Sequence, residues 1–108
     1  MFNIDQTPEF TRTVDCRVPS GDSFETQTFL ATFRVIADDD QGIDWTSLEG
    51  VKDHLRARIV SFDDLCDAKG KPVAYSEATR ETMLALPYVR GGLLRTYTLG
   101  ITEARAGN

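Results

Sequence analysis

The sequence predicts an α+β fold in which an N-terminal antiparallel β-hairpin or meander packs against a mainly helical C-terminal half. Residues 10–18 and 24–37 are rich in Thr, Val and Phe and largely alternate apolar with polar side chains, a pattern typical of half-buried strands. After residue 76, apolar residues recur at three- or four-residue spacing, which is the period of a helix. The change of period divides the chain into a β half and a helical half.

Length and composition indicate one compact domain over residues 1–108. The chain has 108 residues, of which 41% are hydrophobic, and this is enough for a modest core without disulfides or metals. Twelve Lys and Arg against seventeen Asp and Glu give a net charge of −5, with no basic cluster along the chain. Nucleic-acid binding is disfavoured because phosphate contacts need concentrated positive charge.

The sequence shows no pattern of export or membrane insertion. Residues 1–7 lack a positive region followed by an apolar block, and no run of about eighteen apolar residues occurs. We therefore expect a soluble, cytoplasmic protein with no membrane partner. Cys16 and Cys66 lack the C-x-x-C spacing of redox or zinc sites and are expected to be reduced thiols.

The two predicted strands are joined by a turn at Pro19-Ser20-Gly21-Asp22, and we expect a hairpin with one buried face. The apolar side chains expected on that face are Val14, Cys16, Val18, Phe29, Ala31, Phe33 and Val35. Leu30 and Ile36 break the alternation. Because an isolated hairpin is only marginally stable, the helices should cover its apolar face.

A helix is predicted after the acidic segment 38–42. Thr46 and Glu49 have the spacing of a capping box, in which each side chain bonds a backbone N–H of the other. The apolar stripe expected on this helix consists of Leu48, Val51, Leu55 and Ile59. The acidic segment superficially resembles a calcium loop, but its glycine stands one position early, so we interpret it as a solvated loop.

Residues 59–66 are expected to form an edge or terminal strand, in which Asp63 and Asp64 discourage unwanted pairing. The segment 67–72 should then turn the chain, with Gly70 in a left-handed conformation. Val73-Ala74-Tyr75 is predicted as a short return strand.

Two helices are predicted to follow the return strand. Ser76 can accept a backbone N–H bond as the N-cap of the first, and Thr79, Met83 and Leu86 recur on it at helical spacing. Pro87 ends that helix and suits the first turn of the second.

The last helix carries an apolar stripe for which two interpretations stay open. Its residues are Val89, Leu93, Leu94, Tyr97 and Ile101, with Tyr88 at the helix entry. The stripe belongs either to the core or, along one exposed edge, to a surface that docks on a helix of another protein. Gly91-Gly92 in the same helix indicates close approach of another backbone or a hinge, and packing within the domain is favoured over a partner contact.

We expect no enzymatic activity, because no group of residues has the pattern of a catalytic or metal site. His54 is the only histidine, and we place it on the polar flank of its helix, with no nucleophile motif elsewhere. Asp63 and Asp64 point to opposite faces of a strand and cannot easily flank one bond. Gly91-Gly92 is not a phosphate loop, since no Lys-Ser or Lys-Thr pair follows it.

The second half of the chain resembles the small tail assembly chaperones of long-tailed bacteriophages and prophages. The similar elements are Phe62-Asp63-Asp64, the D-x-x-G-K-P-V turn from Asp67 to Val73, Tyr75-Ser76, the apolar run from Met83 to Pro87, and the Y-V-R and L-L-R-x-Y motifs between Tyr88 and Tyr97. The likeness extends more loosely over the N-terminal hairpin and its turn. Family members often carry Trp where Phe62 stands and Ala-rich sequence where Gly91-Gly92 stands.

The resemblance implies a binding protein that needs no cofactor or nucleotide. Several copies would coat the apolar tape-measure protein, keep it soluble and help to recruit tail-tube subunits, and self-association stays open. The alternative is a minor structural tail protein, such as a tube or terminator subunit, that remains in the virion. If one edge of the last helix is exposed, the expected contact residues are Tyr88, Leu93, Leu94, Tyr97 and Ile101.

Overall fold

The computed structural model describes residues 1–38 and 43–102. Along these ranges the elements are β1 (Glu9–Ser20), β2 (Ser23–Arg34), α1 (Leu48–Arg58), β3 (Ile59–Asp63), α2 (Glu77–Leu84) and α3 (Pro87–Thr102). β1 and β2 form an antiparallel hairpin, and β3 pairs antiparallel with the other edge of β2, giving the sheet order β1-β2-β3. The predicted α+β fold is confirmed.

The hairpin differs from the prediction in three ways: β1 is longer, β2 ends earlier, and the turn is tighter. Ser20 pairs with Ser23, so that Pro19 still belongs to β1 and the connection is Gly21-Asp22 alone. Gly21 adopts a positive φ of 62°, as such tight hairpin turns require. β2 ends at Arg34, which leaves the predicted residues 35–37 outside the strand.

One face of the hairpin is buried, as the alternation predicts. Val14 pairs with Phe29 in register, and both side chains point into the core together with Cys16, Ala31 and Phe33. Val18 is only half-buried, and Leu30, which breaks the alternation, is 38% exposed. The core contains Val14, Cys16, Phe29, Ala31, Phe33, Leu55, Ile59, Phe62, Leu84, Val89, Leu93 and Tyr97.

Helix α3 covers this face by lying along β1. Gly92 stands against the backbone of Asp15, and Gly100 stands against the ring of Phe10, so successive turns of the helix follow the strand. Gly91 has open space around it. The interpretation of the glycine pair as packing within the domain is therefore confirmed for Gly92 and does not apply to Gly91.

The predicted capping box at α1 is wrong. The N-cap is Ser47, whose Oγ accepts the backbone N–H of Gly50 over 3.1 Å. Thr46 instead donates its N–H and its hydroxyl to the Asp44 carboxylate, over 3.1 Å and 2.6 Å, and Glu49 pairs with Arg56. Because the Thr46 hydroxyl is hydrogen-bonded to the Asp44 carboxylate, the neighbouring Ser47 caps the helix.

The apolar stripe predicted for α1 is shorter than expected. Leu55 is fully buried and Val51 is half-buried, whereas Leu48 is 52% exposed. Ile59 is buried as the first residue of β3 rather than as part of the helix, because α1 passes into the strand without a loop.

β3 is an edge strand, as predicted, but it ends at Asp63 instead of residue 66. Asp64 has a φ of 64°, a left-handed conformation that breaks the extended chain. The following turn is held by Asp67, whose carboxylate accepts the N–H groups of Lys69 and Lys71 over 2.8 Å and 3.0 Å. Gly70 has a φ of 79°, which confirms its predicted conformation.

The return after this turn forms only an isolated bridge, between Cys66 and Pro72. The start of α2 is confirmed, because the Ser76 hydroxyl accepts the Thr79 N–H over 3.1 Å. α2 ends at Leu84, and Pro87 opens α3 as predicted. Arg90 donates to the Leu84 carbonyl over 2.8 Å and so satisfies a carbonyl at the end of α2.

Candidate partner-binding groove

An open, largely apolar cavity of about 510 Å³ lies between the turn half of the hairpin, the loop 64–73 and the adjoining parts of α2 and α3. We call it the groove. Its lining residues are Cys16, Val18, Gln27, Thr28, Phe29, Asp64, Leu65, Cys66, Val73, Ala78, Thr79, Thr82, Met83, Leu86, Tyr88 and Val89.

The groove exists because β3 is short. β3 pairs with β2 only from Leu30 to Phe33, and Asp64 then turns the chain away from the sheet. Within residues 1–38 and 43–102, the turn half of β2 is thus left without a strand neighbour on this edge, and Gln27, Thr28 and Phe29 become part of the groove. A longer β3 would have filled this space with a paired strand.

The helical wall of the groove is the apolar side of α2 and the first turn of α3. Met83, Leu86 and Tyr88 are half-buried and pack against the core while also lining the groove. Thr79, Met83 and Leu86, which recur at helical spacing in the sequence, thus lie together on one wall of the groove. Half-buried apolar side chains around an open space can bury further area when a partner segment enters.

The opposite wall comes from the loop after β3. Val73 is 37% exposed, and its backbone N–H is held by the Leu65 carbonyl over 2.9 Å, which fixes the two sides of the loop against each other. The Cys66 thiol is exposed in this wall, whereas the Cys16 thiol at the groove floor is buried. Burial is the main reason that the pKa of Cys16 is raised. Both thiols are free, as predicted.

The groove does not include most of the residues that the sequence suggested for partner contact. Leu93 and Tyr97 are buried at 0% and 4% exposure, because this stripe of α3 faces the hairpin. Of the two interpretations left open for the stripe, the core holds for these two residues, and their suggested role as exposed contact residues is wrong. Tyr97 packs edge-on against Phe33, with the ring centroids 5.4 Å apart.

The remaining three predicted contact residues lie in different places. Tyr88 lines the groove, Leu94 is half-buried against the core, and Ile101 is 47% exposed near the other end of α3. At a rise of about 1.5 Å per residue, Ile101 lies roughly 20 Å along the helix from Tyr88. The structure therefore does not bring the five residues together in one site.

Sequence reasoning missed Asp64, Leu65 and Val73 as site residues. The available signal was the acidic pair that follows Phe62, since an Asp at the end of a strand can adopt the left-handed conformation that stops it. From the sequence, the pair is predicted only to protect a strand edge. Asp63 pairs opposite Leu30 on β2, and only Asp64 lines the groove.

His54 lies closer to the core than predicted. The centroid of its ring is 6.1 Å from that of Tyr97 in α3 and 5.4 Å from that of Trp45. His54 is therefore half-buried on the side of α1 that faces these two rings, and not on a polar flank. Burial, and secondarily the Arg58 charge, lowers the pKa of His54. The neighbouring acidic loop is described only at Asp38, which accepts from Arg58 over 3.4 Å; residues 39–42 lie outside the described ranges.

Within residues 1–38 and 43–102, no group of three or more His, Cys, Asp or Glu is arranged to hold a metal ion. In the same part of the chain, no helix has the length and apolar character needed to cross a membrane. A second cavity in the described part of the chain, of about 610 Å³ beside α1, is lined by the charged residues Asp38, Asp44, Asp53 and Arg58 among others. The lining of the groove is mostly apolar, so the chemistry that the groove offers is the burial of apolar side chains.

The chain matches no protein-family model, no curated protein and no solved structure. The function is therefore inferred from the sequence motifs and from the groove to which they contribute.

Proposed function

We propose that the protein is a tail assembly chaperone of a long-tailed bacteriophage or prophage, which binds the tape-measure protein in the host cytoplasm. The observation that carries the proposal is that the motifs similar to this family also build the groove. Each of these motifs contributes lining residues to it: Val73 at the end of the turn, Thr79 in the first turn of α2, and Met83 and Leu86 in the apolar run. A binding site made of these elements supports a binding function.

The groove suits the task of keeping an apolar helical protein in solution. A helix-in-groove contact buries the apolar stripe of one helix against half-buried side chains of the partner. Here Met83, Leu86 and Tyr88 would contact that stripe from one side and Val73 from the other. The excess negative charge of the chain then keeps the coated complex soluble.

The size of the groove favours several copies on each tape-measure molecule. Its volume of about 510 Å³ is that of a site for a small ligand, which commonly spans about 300–1,000 Å³. One copy can therefore cover only a short apolar segment, and a long helix needs many such contacts. Release requires no nucleotide, because tail-tube subunits that bind the tape measure more strongly displace the chaperone by mass action.

Co-expression with the tape-measure protein of the same phage tests the proposal. The wild-type chain should keep that partner in the soluble fraction and co-purify with it in a ratio well above one to one. Val73→Asp should abolish the rescue, since it places a charge on the groove wall at an exposed position where the fold survives. Leu99→Asp is the matched control, because Leu99 is similarly exposed at 46% but does not line the groove.

Circular dichroism of both variants separates loss of binding from loss of folding. If the wild-type chain fails to solubilise the tape measure and is instead retained in purified virions, the protein is a structural tail subunit and the proposal is wrong.

A further inference from the structure

Among the described residues, one charged residue lines the groove, Asp64. The other lining residues are apolar or carry a hydroxyl, thiol or amide. Asp64 is exposed, and among the described residues its carboxylate forms neither an ion pair nor a side-chain hydrogen bond within the chain. Asp64 is thus a charged, exposed residue of the groove lining that is available to a partner.

The backbone conformation of Asp64 accounts for its place at the groove. With φ at 64°, Asp64 is in the left-handed region, which L-residues other than Asn and Asp seldom adopt. This conformation ends β3 and separates the two neighbouring carboxylates. Asp63 remains in the strand opposite Leu30, whereas Asp64 borders the groove.

From this geometry we propose that the groove selects amphipathic helical segments that carry a Lys or Arg beside their apolar stripe, and that Asp64 pairs with this cation. The inference rests on the proposed function and specifies which segments of the tape-measure protein are bound. A purely apolar segment would cover the Asp64 carboxylate and remove its water without providing a partner, which opposes binding. A cation at that position restores the lost interaction and fixes the register of the helix.

Two single substitutions at adjacent positions test the inference. Asp64→Asn removes the charge and keeps a residue that tolerates the left-handed conformation. Asp63→Asn removes an equal charge next to it, outside the groove, and is the matched control. The probe is the phage's own tape-measure protein, and the dissociation constant is measured at low and at high salt for the wild-type chain and both variants.

We expect Asp64→Asn to weaken binding by about tenfold at low salt and to reduce the salt dependence, because a partly buried charge pair is lost. Asp63→Asn should bind like the wild-type chain. Equal affinities for the two variants would overturn the role of Asp64 while leaving the proposed function intact. Failure of the wild-type chain to bind the tape measure would instead overturn the proposed function and this inference with it.

Discussion

Gly92 of α3 lies directly on the backbone of Asp15 in β1. A Cβ atom at Gly92 would stand 3.0 Å from the Asp15 carbonyl oxygen, 3.1 Å from Val14 Cγ1 and 3.3 Å from Cys16 Sγ. Arg95, further along the helix, donates to the same carbonyl over 2.9 Å. The absence of a side chain at Gly92 therefore allows α3 to approach the hairpin closely enough to bury Leu93 and Tyr97.

This contact predicts opposite effects for the two neighbouring glycines. Gly92→Ala should lower the free energy of unfolding by about 1 kcal/mol, because overpacking against the β1 backbone typically costs more than the helix propensity of Ala returns. Gly91→Ala, where the added methyl meets open space, should raise it by up to about 1 kcal/mol. Urea denaturation of both variants measures the difference, and equal effects would show that α3 does not pack on β1 in this way.

The turn after β3 gives a second prediction, at Gly70. Its φ of 79° is strained for a β-branched residue, and no neighbouring atom would contact an added Cβ. Gly70→Val should therefore destabilise the protein by about 1–2 kcal/mol through backbone strain alone. Gly70→Asn, which tolerates this conformation, should have a clearly smaller effect, and an unchanged denaturation midpoint for Gly70→Val would contradict the turn.

The two thiols should differ in reactivity although both line the groove. Cys66 is exposed, whereas Cys16 is buried and burial raises its pKa, so less of the reactive thiolate forms at Cys16 and a reagent reaches it poorly. Iodoacetamide should therefore modify Cys66 first, as mass spectrometry can follow. Cys66→Ser should remove the fast reaction. Equal rates at the two thiols would mean that the groove floor is open to solvent.

Glu81 connects α2 to α1 through Arg56. The Arg56 guanidinium donates to the Glu81 carboxylate. Nε is 3.1 Å from Oε1 and 3.0 Å from Oε2, and Nη2 is 2.6 Å from Oε1. Hydrogen bonds from Arg56, and then from Arg80, lower the pKa of Glu81 from 4.5 to about 2. Because the folded-state pKa is depressed, this stabilisation is present above pH 4.5 and is lost as the pH falls towards 2.

We therefore expect Glu81→Gln to reduce stability at pH 7 by no more than about 1 kcal/mol, since the carboxylate is 40% exposed and solvent screens the pair. The difference from the wild-type chain should shrink between pH 4.5 and pH 2. Glu77→Gln on the same helix is the control, because Glu77 is 89% exposed and its distance to Arg80 is 3.8 Å. A loss that does not vary with pH would contradict the role of this pair.

The parts of the fold that depend on neighbouring residues could be predicted from the sequence. Alternation identified the buried face of the hairpin, Ser76 marked the start of α2, and Pro87 marked the start of α3. The cap of α1 could not be predicted in the same way. Thr46 and Ser47 can both cap a helix, and the side chain of Asp44 decides between them.

The cover of the α3 stripe and the groove could not be predicted, because both depend on contacts between residues far apart in the sequence. An apolar stripe such as that of α3 indicates that something covers it, but not whether this is a strand of the same chain or a partner. In this protein a strand of the same chain covers the stripe, because Gly92 lets α3 approach β1 at Asp15. Likewise, the space beside Phe29 is open only because β3 ends at Asp63, and one backbone angle at Asp64 sets that end.

The most direct test of the central claim is the rate at which Cys66 is alkylated in the free protein and in its purified complex with the tape-measure protein. Cys66 reports on the groove itself, and its exposure in the free chain gives a fast reference rate. If the tape measure occupies the groove, alkylation in the complex should be strongly slowed, and unfolding the complex should restore it. An undiminished rate in a complex that still contains the tape measure would show that binding occurs elsewhere and would contradict the account.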